Sequence, residues 1–248
     1  GPLLILVLCA LVGGVLVNLG APPLAVQAGE RIPRAITSRV RFKIEDELRT
    51  AQVRTRAHDN AEVYYTLDVS LIQDIQNRFT SALRIAKEQI ADPNKVREQV
   101  AGINIELDDS ALAELVRIAG LPDASLYERA VERAIQELRR RPLVEADDKA
   151  LRRTAREAIL LDPERSAELP IPILKLQFSN DAENVVQVAR AAANEFPPPL
   201  RESMQTSLLG MLRNPGSDTY KPLYRFDAIR SARAAEAAEE AVPPEYDE

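Results

Sequence analysis

The sequence predicts a predominantly helical α+β fold. An N-terminal transmembrane helix comes first, then a helical soluble domain with short strands and duplicated strand-helix units near its two ends. Four observations predict it. Residues Pro2 to Ala28 carry no charged side chain, whereas the remainder is densely charged. Beyond Ala28, apolar residues recur mostly at helical spacing. With 4% aromatic residues and no Trp, the core falls to Leu, Ile, Val and Ala, a composition that leans helical. Finally, a strand, a polar helix and a Tyr occur in the same order near both ends.

The apolar start divides the chain at residue 28. Residues 1–28 read as a transmembrane helix and its exit, with residues 3–21 inside the bilayer, because a span needs about 20 mostly apolar residues. A cleaved secretory signal is the competing reading. Val26-Gln27-Ala28 resembles a small-residue cleavage site, and Pro22-Pro23 ends the apolar helix just before it. The absence of a basic stretch ahead of Leu3 favours a retained span and a chain whose cytoplasmic beginning has been cut off. Arg31, Arg34, Arg39, Arg41 and Lys43 follow the span. Taken alone, they place that side in the cytoplasm by the positive-inside tendency.

The soluble part, residues 29–248, is long enough for one large domain or two small ones, with a core that needs no disulfide staples. Net charge is −6 and the pI about 5.2, which excludes the basic footprint of a nucleic-acid partner. The single cysteine, Cys9, lies in the apolar run, so it neither pairs within the chain nor serves as a water-exposed nucleophile.

Along this part, Ser38 to Ile44 alternates strictly. Val40, Phe42 and Ile44 point one way and Arg39, Arg41 and Lys43 the other, as in a half-buried strand. The basic face is membrane-proximal, so it meets either solvent or anionic headgroups. Glu45 to His58 reads as a polar helix and Val63-Tyr64-Tyr65 as a short extended piece. Asp68 or Ser70 caps a longer helix that buries Ile72, Ile75, Phe79, Leu83, Ala86 and Ile90. Asp92-Pro93-Asn94 breaks it. A helix opens at Asp108 with Leu112, Leu115, Val116 and Ala119 on its apolar face. After the turn Gly120 to Asp123, another buries Leu126, Ala130, Ile135 and Leu138. Arg139-Arg140-Arg141 suits its negative pole.

From Pro142 to Phe178 the pattern changes to extended pieces: Leu143-Val144, Ile159 to Leu161, and Ile171 to Phe178. Pro163, Pro170 and Pro172 put the last at a sheet edge. Asn180 or Asp181 then caps a helix to about Phe196, which Pro197-Pro198-Pro199 stops. Leu200 to Arg213 is a final amphipathic helix bearing Met204, Leu208, Leu209 and Leu212, closed by Asn214-Pro215-Gly216-Ser217.

The tail then echoes the beginning. Phe42-Lys43-Ile44-Glu45-Asp46 lines up with Tyr224-Arg225-Phe226-Asp227-Ala228, and Tyr64 with Tyr246. Two matching units that pack together would bring both ends of the domain to the same membrane.

No constellation in this chain carries chemistry, so neither catalytic nor metal-binding residues are expected. His58-Asp59 is a lone dipeptide, and a two-metal site needs further histidines, of which the chain has none. Glu45-Asp46-Glu47 and Asp108-Asp109 sit at helix starts, where carboxylates bind free amides. Ser70 and Ser203 have no His partner for a triad. No Gly-rich phosphate loop is present. A cleft between the helical region and Pro142–Phe178 is the first place to seek a ligand.

Gly29-Glu30-Arg31-Ile32-Pro33-Arg34-Ala35-Ile36, the strand through Phe42 and Ile44, and the helix leading to Tyr64 resemble the opening of a known domain. It is the extracytoplasmic domain of the seven-transmembrane HD phosphohydrolases. Asn214-Pro215, Tyr224-Arg225-Phe226-Asp227 and Ala241-Val242-Pro243-Pro244-Glu245-Tyr246 resemble its end. The family's Val-Pro-Pro-x-Tyr pattern is kept in this second copy; the first reads Asn60-Ala61-Glu62-Val63-Tyr64 instead.

The resemblance implies a bacterial membrane protein whose soluble part is an extracytoplasmic sensory or regulatory domain. Its partners would be the bilayer and an unidentified ligand or protein, with no cofactor in this stretch. A metal-dependent HD domain elsewhere in the parent would hydrolyse a cyclic dinucleotide such as cyclic di-AMP in the cytoplasm. The alternative is a secreted or anchored structural or chaperone-like protein with no signalling role.

Overall fold

Aspartate starts most of the helices. The computed structural model describes residues 44–146 and 155–247. Within them lie eight α-helices: α1 Glu47–Asn60, α2 Val69–Glu88, α3 Pro93–Gly102, α4 Asp109–Ala119, α5 Ser125–Arg140, α6 Ala182–Ala193, α7 Arg201–Leu212 and α8 Ala228–Glu240. Asp46, Asp68, Asp92, Asp108, Asp181 and Asp227 each cap one of six helices, accepting a hydrogen bond from a first-turn amide. The helix α7 follows a single 3-10 turn, Pro198–Leu200, and has no side-chain cap. Before α5, Asp123 accepts from the Ser125 amide at 2.8 Å.

The expected span in residues 1–28 and the basic face Arg39, Arg41 and Lys43 lie outside the described residues. No helix among the described residues is long and apolar enough to cross a membrane.

Eight strands accompany the helices: β1 Ile44–Glu45, β2 Val63–Leu67, β3 Leu143–Val144, β4 Glu157–Asp162, β5 Ala167–Pro172, β6 Gln177–Phe178, β7 Tyr224–Phe226 and β8 Tyr246–Asp247. Six form one mixed sheet in the order β5-β4-β2-β7-β3-β6, and β1 and β8 form a second, two-stranded one. In the larger sheet β2 runs parallel to β4 and antiparallel to β7. Its Val63, Tyr65 and Leu67 are buried in alternation. In β4 every residue from Ala158 to Asp162 is buried, as expected for an inner strand covered on both faces.

The expected extended piece Ile171 to Phe178 is not one strand. Ile171-Pro172 ends β5 at one edge of the sheet, Ile173–Lys175 makes a 3-10 turn, and β6 lies at the opposite edge. The prolines explain why β5 stays an edge. The Ile173 amide donates to the Arg156 carbonyl at 3.1 Å, so by alternation Leu169 and Ile171 also face β4. Positions 168, 170 and 172 therefore face outward, and Pro170 and Pro172 have no N–H to offer a further strand.

The core lies where the helices cover this sheet. Phe196 sits at its centre, with ring centroids 5.3 Å from Phe79 and 5.7 Å from Tyr127. The buried Tyr127 hydroxyl donates to the Phe79 carbonyl. Around them pack Ile72 and Ile75 of α2, Leu115 of α4, Leu138 of α5, Val188 of α6 and Leu208 of α7, all buried. Three local expectations differ. Asp92-Pro93 does more than break α2, because proline at the first position needs no amide partner and starts α3. Ile90 lies past the end of α2 and is exposed. On α5 the apolar face passes through Tyr127 and Val131, leaving Leu126 exposed.

Asp68 joins the helical layer to the sheet. Its amide donates to the Leu223 carbonyl, and its carboxylate accepts from the Leu71 amide, the Ser70 hydroxyl and Arg225 of β7. Burial opposes ionisation, but these donors outweigh it and hold the carboxyl below its ordinary value of 3.8. A depressed folded pKa stabilises the native state above the ordinary carboxylate range, and that contribution fades as pH falls through the lowered value. Asp68→Ala is expected to cost about 1–2 kcal/mol at pH 7 in urea unfolding. The difference from the native chain should shrink progressively below about pH 4.

Candidate functional site

The two ends of the described domain are built from related pentads. Asp46-Glu47-Leu48-Arg49-Thr50 opens α1, and Asp227-Ala228-Ile229-Arg230-Ser231 opens α8. Each pentad begins with an N-cap aspartate whose Oδ1 accepts from the arginine amide three residues on, at 2.9 Å for Arg49 and 3.0 Å for Arg230. In each, the fifth residue turns a buried hydroxyl inward. The second and third residues are exposed; Leu48 and Ile229 are 77% and 67% accessible.

Each pentad grips the extended segment that follows the other helix. The Asp46 amide donates to the Glu245 carbonyl at 2.9 Å, and the Glu245 amide donates to Thr50 Oγ1 at 3.0 Å. Correspondingly, the Asp227 amide donates to the Tyr64 carbonyl at 2.8 Å, and the Tyr64 amide donates to Ser231 Oγ at 2.9 Å. Asp46 thus answers to Asp227, Arg49 to Arg230, Thr50 to Ser231 and Glu245 to Tyr64. The units are related as an approximate two-fold pair, with α1 packed on α8, β1 on β8 and β2 on β7. The expected packing of two matching units is present. Its register is one position off the sequence alignment, because Tyr64 corresponds to Glu245 and not to Tyr246.

Sequence reasoning missed Thr50 and Ser231. The signal that could have found them is the repeated Asp-x-Leu/Ile-Arg-Thr/Ser itself, with a hydroxyl one turn beyond each cap. Between the paired helices lies a groove of about 400 Å³ lined by Arg54, Glu236, Glu239 and Glu240.

The other candidates take structural places. His58 Nδ1 lies 3.4 Å from Asp59 Oδ1 on an exposed surface. Asp46 and Asp108 are helix caps, as expected, and Asp109 pairs with Arg97. The amide of Ala111 holds the Asp108 carboxyl below its usual range, and the Ser203 hydroxyl adds to this. Ser203 is thereby committed to Asp108, and Ser70 to Asp68. Two further cavities lie away from the expected cleft beside Pro142–Phe178. One is a groove of about 500 Å³ against α3 and α4, lined by Pro93, Leu112 and Val116 among others; the other surrounds the loop 213–218. Positive φ at Gly216 lets that loop turn back.

Arg139 is more than the helix-pole cation expected of it. Its side chain is 9% exposed and donates to Asp162 Oδ2 at 2.8 Å, with a second bond to Glu164. Gln73 of α2 also donates to Glu164. The Tyr224 hydroxyl donates to the Arg139 carbonyl, and burial pushes that phenol up to about 12. These bonds pin the β4–β5 turn to the ends of α5 and β7. Arg139→Ala removes the nearest cation from the buried Asp162 carboxylate and leaves it only the Glu164 amide and Arg165 at 3.8 Å, so urea unfolding should show a loss of about 3 kcal/mol.

A family model described as 7TM-HD extracellular matches residues 27–248. No curated protein and no solved structure matches the chain.

Proposed function

We propose that this chain, which belongs to the family of 7TM-HD extracellular domains, supplies the ligand-sensing or regulatory part of a membrane-bound HD phosphohydrolase. Membership in the family makes the soluble part extracytoplasmic and its protein membrane-anchored. In this reading residues 3–21 cross the bilayer, and Arg39, Arg41 and Lys43 meet solvent or headgroups just outside it. The parent polypeptide hydrolyses a cyclic dinucleotide in the cytoplasm with a metal-dependent HD domain. The extracytoplasmic domain binds an unidentified ligand or protein and changes the output.

The observation that carries this reading is the pairing of the ends. Asp46 and Glu245 are held backbone to backbone. Two membrane-entering segments attached there would start side by side, and a change in the domain could move one against the other. A ligand shifts such an equilibrium only by its difference in affinity for the two arrangements.

Sidedness is tested with a Lys95→Cys variant in a Cys9→Ser background; the Lys95 side chain is 63% exposed. A membrane-impermeant maleimide should label it in intact cells. Labelling only after permeabilisation would refute the extracytoplasmic placement. Regulation is tested by deleting residues 29–248 from the parent protein and measuring cyclic di-AMP hydrolysis in vesicles. A severalfold change in rate is expected, and an unchanged rate removes the regulatory role.

A further inference from the structure

The two clasps are chemically equivalent but their surroundings are not. Tyr64 belongs to β2, which is paired on one side with β4 and on the other with β7. Its neighbours Val63 and Tyr65 are 1% and 2% exposed, and the Tyr65 ring meets Phe226 edge-on at 5.8 Å. Glu245 is placed differently: it precedes the two-residue strand β8, which among the described residues ladders with β1, and Tyr246 beside it is 45% exposed.

The helices that carry the clasps add little apolar burial. Thr50 is the one buried residue of α1, and Ser231 and Ala235 are those of α8. None of the residues of α1 or α8 belongs to the hydrophobic core cluster. An element held by hydrogen bonds over a polar contact opens at lower free energy than one held by a core.

We infer that the pair of clasps works as a hinge and a latch. The Asp227–Tyr64–Ser231 clasp is the hinge, because releasing it disrupts the central sheet. The Asp46–Glu245–Thr50 clasp is the latch. Its release frees α1 and the segment after α8 from each other and separates the two ends of the domain while the core stays folded. Latch opening is a property of this fold alone and holds whether or not a ligand is sensed. Because the clasp residues are related by the two-fold pairing, the difference between them comes from packing and not from side-chain chemistry.

Amide hydrogen exchange on the whole chain in detergent micelles tests this. In the native chain the Glu245 and Asp46 amides should exchange at least tenfold faster than those of Tyr64 and Asp227. Thr50→Val, which keeps the shape and removes the hydroxyl acceptor, should speed exchange at Glu245 about fivefold and leave Tyr64 unchanged. Thr50→Ser should retain native protection. Equal protection at the two clasps in the native chain would overturn the assignment, and that comparison requires no variant. So would a Thr50→Val effect that is equal at Glu245 and Tyr64, or absent from Glu245.

Discussion

Both backbone groups of Tyr64 are bonded to the first turn of α8. Its carbonyl accepts from Asp227 and its amide donates to Ser231. Tyr64 is also a member of the strand at the centre of the six-stranded sheet. This double commitment ties the late part of the chain to the early part through the core, and it fixes where the paired ends lie. A buried backbone amide without a partner is costly. Ser231, fully buried at the mouth of α8, is the group that removes the cost.

The domain combines two kinds of stabilisation. Between α2 and α7, interlocking apolar side chains around Phe196 supply a dense, non-directional core. At the paired ends, directional bonds from caps and hydroxyls substitute for apolar contact. Asp68 and Arg139 fasten the helical layer to the strands through ion pairs in which Asp68, Arg139 and Asp162 are largely shielded from water and Arg225 is exposed. Such a division places dense apolar packing in the interior and directional bonds at the ends.

Helix positions were largely legible because their signals are local. An aspartate and the amide two or three residues later lie within one turn, so Asp46, Asp68, Asp108 and Asp181 could be read as helix starts from spacing alone. The prolines marked Ile171 to Phe178 as a sheet edge for a similar reason, since proline lacks a donor wherever it stands, but only Ile171 and Pro172 of that piece belong to β5. The sequence pattern is ambiguous where one residue of phase decides the outcome. Leu126 and Tyr127 are adjacent and both bulky, and only the packing against Phe196 and Phe79 selects Tyr127 for the interior.

By itself the sequence determined the uncharged start, the mixed and mainly helical class, the cap at most helix starts and the presence of two related units. Tertiary structure alone decided the strand order, the partners of Arg139 and the register of the two units. The physical reason is that these last features rest on contacts between distant segments, many made by backbone groups. Glu245 takes its place through an amide and a carbonyl that every non-proline residue possesses, so nothing in its side chain could announce it.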